Sequence, residues 1–583
     1  MSFAALKAKR SARRPQVSVS APKETESTPP EAEAEAAQPP PPAEEGQRLG
    51  QYLEVRTTKD AGRSVFVRPS SQVLRKGTTI LETTPTSAVL STGTIDEYCS
   101  HCFLGIHELS VQRTRQAHGG EVDVPKLSRC GGCQVARYCS KKCQAAAWAT
   151  HQTECRALKR LREIYTSSHA SGEGRPWIPE EAVRALARVC WERRRRRLQS
   201  QDRDSLTPEQ REPFAKLAMH LAQYLAAGEP AESGGGGPLK AVDMRAFGFH
   251  GVPEMMDLVC SFATNAFTLS TPSLTPVGVA VSPQVAMFNH SCAPNAVVVF
   301  PEGCGEDGGM KVVLIERCRS GPRGVDVVYR RLASPALETE RVGGAVPLWL
   351  WCIYHPGCPR AGVVRMPDLS EEGSERHISC AACGKSETIS IMRLRTLTDL
   401  AQRIINADER GSLDPSEAEH IPSLEEALLT LQPANSYPLL PLLRILALQL
   451  SQPESSTALV TSTNGEQTLP RIFDAIRVHT LLVRALGEVL PPFHPSYGIA
   501  LAELGKLLNV HVEDDGSGPA DLGMGIKIPR ATTRRLALTL TTLRKAQEVL
   551  RVGFGSQGGL VGVEMGWLVE GLEKELEMQS LRM

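Results

Sequence analysis

Eight cysteine and histidine residues between positions 99 and 155 constrain the fold of this chain more than any other feature. They form two Cys-x2-Cys pairs and two pairs spaced four residues apart: Cys99/Cys102, Cys130/Cys133, Cys139/Cys143 and His151/Cys155. A Cys-x2-Cys pair can direct two thiolates at one ion, and residues four apart in a helix face the same way. Eight such ligands predict two closed, structural Zn²⁺ sites. The alternative interpretation is eight unrelated buried side chains.

The N-terminal segment 1–48 is predicted to be a disordered tail. Residues 1–23 carry six basic and no acidic side chains, whereas residues 24–46 carry seven glutamates and no base. Such a segment has too few apolar residues to bury. Its basic half is interpreted as either a targeting address, nuclear or mitochondrial, or a solvated tail. Nothing after Met1 resembles a secretory signal, so we expect reduced cysteines and a location in the nucleus or cytoplasm.

Charge and hydropathy argue against two broad classes of function. The chain has 583 residues, with 66 Lys and Arg against 65 Asp and Glu and a formal net charge of +1. This balance argues against a surface built to coat nucleic acid. We interpret the arginine run 193–197 as a solvated helix face rather than a nucleic-acid contact. Apolar stretches such as 346–354 are far shorter than the roughly 18–20 residues that span a bilayer, so no membrane segment is predicted.

The segment 130–155 closely resembles a MYND zinc finger, a module that binds partner proteins. The resemblance implies that the ligands of two Zn²⁺ ions interleave along the chain. The ligands of the first ion would be Cys99, Cys102, Cys139 and Cys143. Those of the second would be Cys130, Cys133, His151 and Cys155. The 27 residues between Cys102 and Cys130 exceed the usual gap, and Gly119-Gly120 favours an extruded loop there.

The flanks of the finger resemble the split SET domain of the SET and MYND domain-containing family. Upstream, Ala61–Val67 and Leu74–Leu81 alternate like strands around a Lys76-Gly77 turn and predict a β-hairpin. Downstream, the family's pattern is matched by Phe262-Ala-Thr-Asn-Ala-Phe267 and by Asn289-His-Ser-Cys-Ala-Pro-Asn295. The fold class implied is α+β multidomain. A β-rich SET core is split by the finger and a helical insert, and an all-α, tetratricopeptide-like C-terminal lobe follows.

The domain boundaries follow from these motifs. The predicted parts are a tail 1–48, a first SET part 49–95, the MYND finger 96–155, a helical insert 156–255, the SET core 256–340, a zinc-ribbon-like segment 341–390 and a helical domain 391–583. In the helical domain, the apolar spacing in 424–451, 468–511 and 530–578 predicts helices, with a break at 553–559. A plain helical bundle is the alternative to tetratricopeptide-like pairs.

The family resemblance implies an S-adenosyl-L-methionine-dependent protein-lysine N-methyltransferase, acting on a histone or a non-histone protein. Asn289 would bind the amino-acid end of the cofactor, and the main chain at His290 its adenine. Asn265, Gly62 and Arg63 match further cofactor contacts of the family. A capped polar turn between strands is the alternative interpretation of the Asn-His-Ser-Cys sequence.

Tyr329 matches the position of the family's catalytic tyrosine, with an ordinary strand tyrosine as the alternative. The family's acidic Gly-Glu-Glu turn before it is replaced here by Gly-Pro-Arg-Gly at 321–324. A lysine amine must be neutral to attack a methyl group, so an active enzyme also needs an apolar channel that favours the uncharged form.

The family's closely spaced cysteine cluster after this tyrosine has no counterpart between Arg330 and Trp351. Four cysteines farther on, Cys352, Cys358, Cys380 and Cys383, predict a zinc ribbon and a third Zn²⁺. Reduced structural cysteines are the alternative. These departures favour a second hypothesis, a catalytically inactive zinc-dependent adaptor that binds proline-rich peptides through the finger.

Overall fold

The computed structural model describes the chain in segments from residue 47 onward. The described residues are 47–49, 51–58, 62–68, 73–117, 123–168, 177–196, 215–229, 242–290, 294–305, 308–318, 326–327, 349–351, 363–365, 375–379, 386–410, 439–451, 468–510, 518–522, 525–530, 532–555 and 557–582. Together they form an α+β structure of small sheets and packed helices. Nearly all of the predicted tail lies outside these residues.

Five short strands precede the finger. They are β1 (Gln47–Leu49), β2 (Leu53–Thr58), β3 (Gly62–Val67), β4 (Thr79–Thr83) and β5 (Ser87–Leu90). The first three form one antiparallel sheet in the order β1-β2-β3. The other two join sheets whose remaining strands come from beyond residue 265, so the segments before and after the finger share their sheets.

The finger contains two helices and a two-residue strand pair. Its elements are α1 (Ile106–Gln116), β6 (Ser128–Arg129), β7 (Arg137–Tyr138) and α2 (Lys141–Ser168). The extruded loop predicted between Cys102 and Cys130 is wrong for residues 106–116, which form α1. The carboxylate of Glu108 accepts a hydrogen bond from Gly105 N at 3.1 Å and caps this helix. Leu109 and Val111 lie on its buried face. Their burial stabilises this short helix, because intrinsic helix propensity alone would not.

Helices follow the finger where an insert is predicted. They are α3 (Glu181–Arg195), α4 (Ala215–Gly228), a 3-10 turn (Met244–Phe247) and α5 (Val252–Asn265). The arginine run ends α3: Arg195 pairs with Glu192 at 2.6 Å, and the Arg193 guanidinium lies 4.8 Å from the centre of the Phe249 ring. The four described arginines, 193–196, therefore have partners within the chain.

Strands resume after α5. They are β8 (Phe267–Ser270), β9 (Pro276–Val281), β10 (Asn289–His290), β11 (Ala296–Val299), β12 (Pro301–Cys304), β13 (Met310–Leu314) and β14 (Asp326–Val327). One sheet has the order β5-β9-β8 and another the order β11-β13-β4. Strand β10 pairs with β14 in parallel, with Asn289 opposite Asp326 and His290 opposite Val327.

The β-hairpin predicted from Ala61–Val67 and Leu74–Leu81 is wrong, although both segments contain strands. Strand β3 pairs with β2, and β4 pairs with β13, more than two hundred residues away. Gly77 allows this change of sheet because its φ of +84° is readily adopted only by glycine, and its N–H donates to Leu314 O at 2.7 Å. The strand pattern was informative, but the partner of β4 is set by the buried apolar side chains of β13.

The C-terminal part begins with two strand pairs and continues as helices. The strands are β15 (Trp349–Trp351), β16 (Val363–Arg365), β17 (Glu375–Ser379) and β18 (Ser386–Ser390). The helices are α6 (Ile391–Arg410), α7 (Leu439–Ser451), α8 (Thr468–Val489), α9 (Pro495–Leu508), α10 (Thr532–Gly553) and α11 (Gly559–Arg582), with β19 (Ala520–Asp521) and β20 (Lys527–Ile528) before α10. Consecutive helices pack on each other, and the break between α10 and α11 coincides with the predicted one. No described helix is long and apolar enough to cross a bilayer.

The sheet β11-β13-β4 is buried on both faces. Alternate residues Met310, Val312 and Leu314 belong to the core shared with the finger and the insert helices. Val313 and Ile315 point the other way and pack with buried side chains of α9, α10 and α11. A strand that is buried on both faces needs a continuous apolar run, which explains the sequence Val312-Val-Leu-Ile315.

Candidate metal centre and cofactor-binding segment

The first cluster of the finger contains Cys99, Cys102, Cys139 and Cys143, whose sulfur atoms all lie within 4.8 Å of one another. Cys99 and Cys102 occupy a turn in which Phe103 N donates to Cys99 O at 2.9 Å. The other two follow β7 and begin α2. The Sγ–Sγ distances are 3.8 Å for Cys102 to Cys139 and 3.4 Å for Cys139 to Cys143. A turn, a strand end and a helix start therefore meet at one point.

The second cluster contains Cys130, Cys133, His151 and Cys155, whose ligand atoms also lie within 4.8 Å of one another and are all buried. Cys130 Sγ is 3.7 Å from Cys155 Sγ, and Cys133 Sγ is 3.6 Å from His151 Nε2. His151 and Cys155 lie one turn apart on α2 and face the turn that holds the other two. The two groups are those that the family resemblance implies.

Both clusters fit a tetrahedral Zn²⁺. With Zn–S bonds of about 2.3 Å, tetrahedral geometry places sulfur atoms about 3.8 Å apart, close to the distances in both clusters. The donor sets are four sulfurs in one cluster and three sulfurs with one imidazole nitrogen in the other, both typical of structural zinc sites.

The shifted pKa values of the thiols in the second cluster are consistent with a site where a bound cation replaces thiol protons. The neighbouring Cys155 thiol holds the pKa of Cys133 at about 4, and the same proximity raises the pKa of Cys155. Further ionisation in this buried group requires a positive charge, and a bound metal ion supplies it.

A carboxylate that sequence analysis missed lies behind His151. Glu154 Oε2 is 3.2 Å from His151 Nδ1, and 2 % of the Glu154 surface is exposed. Burial alone would raise the pKa of Glu154, but the Arg188 guanidinium and the His151 ring outweigh burial and hold the pKa well below its usual range. In the sequence, Glu154 is recognisable only as the residue before Cys155, the last cysteine of the finger. Spacing alone does not distinguish such a glutamate from an exposed one.

The predicted cofactor residues Gly62, Arg63 and Asn289 lie on two neighbouring elements. The Asn289 side chain donates from Nδ2 to Ser64 Oγ at 2.7 Å, which joins β10 to β3. Gly62 and Arg63 begin β3, and Arg63 is exposed. The 3-10 turn Val285–Met287, which precedes Asn289, packs against the same strand. Residues 225 positions apart in sequence thus meet at one place.

Asn265 ends α5 and is held by that helix. Its Nδ2 donates to Ser261 O at 2.8 Å and to Thr264 Oγ1 at 3.0 Å. Among the described residues, no hydrogen bond connects Asn265 with Asn289. The role of Asn265 as a cofactor contact therefore stays a prediction.

The remaining predicted site residues lie outside the described part of the chain. For His290 only the side chain is undescribed, and for the others the whole residue is. The backbone of His290 is described, as the residue of β10 opposite Val327. Tyr329 follows β14 by two residues, and Cys352 follows β15 directly. Cys380 and Cys383 fall between the paired strands β17 and β18, and Cys358 between β15 and β16. The catalytic tyrosine and the third Zn²⁺ stay predictions.

Comparison with known proteins yields a family model and several relatives. The MYND finger model matches residues 99–155. Histone-lysine N-methyltransferase SMYD3 of Homo sapiens is 27% identical over 241 residues, which are 39% of this chain and 45% of that protein. N-lysine methyltransferase SMYD2-A of Danio rerio is 29% identical over 175 residues, 30% of this chain and 36% of that protein. Histone-lysine N-methyltransferase ASHR1 of Arabidopsis thaliana is 26% identical over 257 residues, 43% and 45% of the two chains.

The matched model and the paired clusters identify residues 99–155 as a MYND zinc finger in a chain of α+β structure. The relatives confirm the resemblance to the SET and MYND domain-containing lysine methyltransferases, to which this chain has distant similarity over part of its length. The matches span less than half the length of these curated relatives.

Proposed function

We propose that this chain is an S-adenosyl-L-methionine-dependent protein-lysine N-methyltransferase whose MYND finger binds partner proteins. The observation that carries the proposal is the hydrogen bond from Asn289 to Ser64. It brings the Asn-His segment next to Gly62 and Arg63, as a split SET core at 49–95 and 256–340 requires. The names of the relatives, all lysine methyltransferases, support the same activity.

The donor set suits the amino-acid end of the cofactor. The Asn289 amide nitrogen is used by Ser64, which fixes the side chain and leaves its oxygen as the atom that would accept from an ammonium group. The main chain at His290 would address the adenine. When bound, S-adenosyl-L-methionine supplies an activated methyl group. The chain's own part is to orient this group and the incoming lysine amine and to exclude water between them.

The parallel pairing of β10 with β14 supports the same assignment. It places Asn289 and His290 beside Asp326 and Val327, and the chain then continues to Tyr329 two residues later. A tyrosine hydroxyl there would act next to the amino-acid segment of the cofactor site. The proposed substrate is a lysine of a histone or another protein. The relatives support a lysine substrate, since they are named histone-lysine N-methyltransferase or N-lysine methyltransferase.

The decisive experiment is calorimetric titration of the full chain with S-adenosyl-L-methionine, followed by transfer of a labelled methyl group into a proteome extract. The enzyme is expected to bind the cofactor and to label lysine. A chain that binds cofactor and labels no protein would contradict the proposal and favour the adaptor, which would still bind proline-rich peptides through the finger.

Asn289→Ala is expected to weaken cofactor binding because it removes a hydrogen bond to a charged group. Such a loss costs on the order of 1.5–3 kcal/mol, or roughly ten- to more than a hundredfold in affinity. Asn509→Ala is the matched control, since Asn509 is an exposed residue at the end of α9. Calorimetric affinities that are equal for the two variants would remove Asn289 from the cofactor site.

A further inference from the structure

The carboxylate of Glu154 connects the second zinc cluster to helix α3. Its Oε2 atom is 3.2 Å from Nδ1 of His151 and 2.5 Å from Nη2 of Arg188. Its other oxygen, Oε1, is buried with no hydrogen-bond partner among the described residues, so both links share one oxygen. On the opposite side of the ring, His151 Nε2 faces Cys133 Sγ at 3.6 Å. An outer carboxylate on the second nitrogen of a metal-bound imidazole fixes the ring orientation and raises its basicity.

Arg188 continues these contacts to strand β5. Its Nη1 donates to Ala88 O at 2.7 Å, and in return Ser87 Oγ donates to Ala185 O of α3 at 3.0 Å. One turn earlier on the same helix, Arg184 donates to Leu90 O. Helix α3 is therefore attached to β5 by two largely buried guanidinium groups, and one of them is bound to Glu154.

The charges of this buried group balance when the metal is bound. Three thiolates and one neutral imidazole around Zn²⁺ leave one net negative charge, and Glu154 adds a second. Arg184 and Arg188 supply two positive charges, and Arg184 is 2 % exposed. Because an unpaired buried charge is strongly destabilising, the negative charge of Glu154 and of the metal-bound thiolates helps to explain how two arginines are tolerated beneath the finger.

We propose that Glu154 is a positioning residue for the second zinc ion, and that the link from Glu154 through Arg188 makes the packing of α3 on β5 depend on that ion. Strand β5 pairs with β9 along its whole length, and β9 leads into the turn before Asn289. Loss of the ion thus loosens an element that supports the segment at Asn289. The inference does not depend on whether the chain transfers methyl groups.

The first test compares Glu154→Gln with Glu163→Gln. Both residues lie on α2, but Glu163 is half exposed and its Lys159 partner is 4.0 Å away. Cobalt(II) replaces zinc as the probe, because a site with three sulfurs and one nitrogen absorbs differently from a site with four sulfurs. In competition with a chelator, Glu154→Gln is expected to weaken the site that contains nitrogen about 10- to 100-fold and to leave the four-sulfur site unchanged.

Glu163→Gln should leave both cobalt affinities at the wild-type value. Equal affinities in the two variants would overturn the proposal. So would an equal loss at both clusters in Glu154→Gln, because that result indicates general destabilisation rather than orientation of His151.

The second test needs no variant and therefore remains valid if Glu154→Gln fails to fold. Hydrogen exchange of the wild-type chain is measured with zinc and after chelation. The proposal expects amides of β5 and α3 to lose protection together with the finger, while those of β11 and β13 keep theirs. Retained protection of β5 and α3 after zinc is lost, or equal loss in every sheet, would overturn it.

Discussion

Of the two adjacent glycines in the second zinc cluster, Gly131 has space for a side chain and Gly132 does not. A Cβ atom at Gly132 would lie 2.8 Å from Cys155 Sγ, whereas one at Gly131 would meet nothing within 4 Å. Both glycines occupy the same interval between Cys130 and Cys133, so spacing does not distinguish them. The fold distinguishes them, because it places Cys155 next to Gly132 and not next to Gly131.

Gly132→Ala is expected to weaken zinc binding at the second cluster because the added methyl group displaces a ligand sulfur. Zinc that remains after dialysis against a chelator should fall in Gly132→Ala, and Gly131→Ala should retain the wild-type amount. A Gly131→Ala protein that loses as much zinc as Gly132→Ala would show that the close approach to Cys155 is not the cause.

Tyr329→Phe separates binding from catalysis. It keeps the ring and removes only the hydroxyl that the proposed function places near the transferring methyl group. Cofactor affinity should stay within a few fold by calorimetry while methyl transfer falls, which indicates an interaction made mainly in the transition state. Equal transfer by wild type and Tyr329→Phe would leave the enzyme hypothesis intact and remove this tyrosine from it.

At the scale of elements, strand β12 lies between the finger and the C-terminal helices. Cys304 N donates to Cys102 O at 3.0 Å, so the strand is bonded to the first zinc turn. On the other side, a Cβ atom at Gly559, the first residue of α11, would lie 2.8 Å from Pro301 O. Helix α1 is held in the same junction, since Arg115 Nη1 is 3.0 Å from Glu302 Oε1.

Gly303→Ala is expected to separate β12 from the finger. Gly303 has a φ of +72°, and a Cβ atom there would lie 2.3 Å from Cys102 O. The left-handed backbone alone costs an alanine about 1–2 kcal/mol, and relief of the clash adds to this loss of stability. Chemical denaturation measures the difference. The control is Gly93→Ala, where a Cβ atom meets nothing within 4 Å and no φ in the left-handed region is involved.

A stability of Gly303→Ala equal to that of Gly93→Ala would contradict the close packing of β12 on Cys102. Because the first cluster is contacted through backbone atoms of Cys102, we also expect Gly303→Ala to release zinc from the four-sulfur site before the other site.

At the scale of the whole molecule, the finger shares its core with the parts around it. One continuous group of buried side chains includes Cys99 and Cys133 of the finger, Leu186 of α3, and Val279 and Val312 of the sheets. A second core joins β11 and β13 to the C-terminal helices. The regions predicted as separate domains therefore share buried contacts.

Metal analysis of the purified full chain tests the three proposed zinc sites together. The two described clusters should hold two Zn²⁺ ions per chain, and the ribbon at 352–383 a third. Cys380→Ser is then expected to lower the count from three to two and leave the finger's hydrogen-exchange protection unchanged. A count of two in the wild type would remove the ribbon, and no zinc in a folded chain would remove both finger sites.

The features that depend on short stretches of chain could be predicted from the amino-acid sequence. The paired cysteines, His151 and Cys155 one helical turn apart, and the helix break at 553–559 follow from local spacing, because a turn of helix or a knuckle sets its own geometry. The alternation of apolar and polar residues also predicts the positions of β3 and β4. It does not predict the strands with which they pair.

Which distant segments meet could not be predicted from local sequence and depends on how the core assembles. The partner of β4 is β13, the gap before Cys130 folds as α1 against buried neighbours, and Glu154 finds Arg188 on another helix. Each outcome depends on the burial of an apolar face or the pairing of a buried charge across a large sequence separation. A local pattern predicts that such a face or charge needs a partner. Which partner it finds is a property of the assembled core.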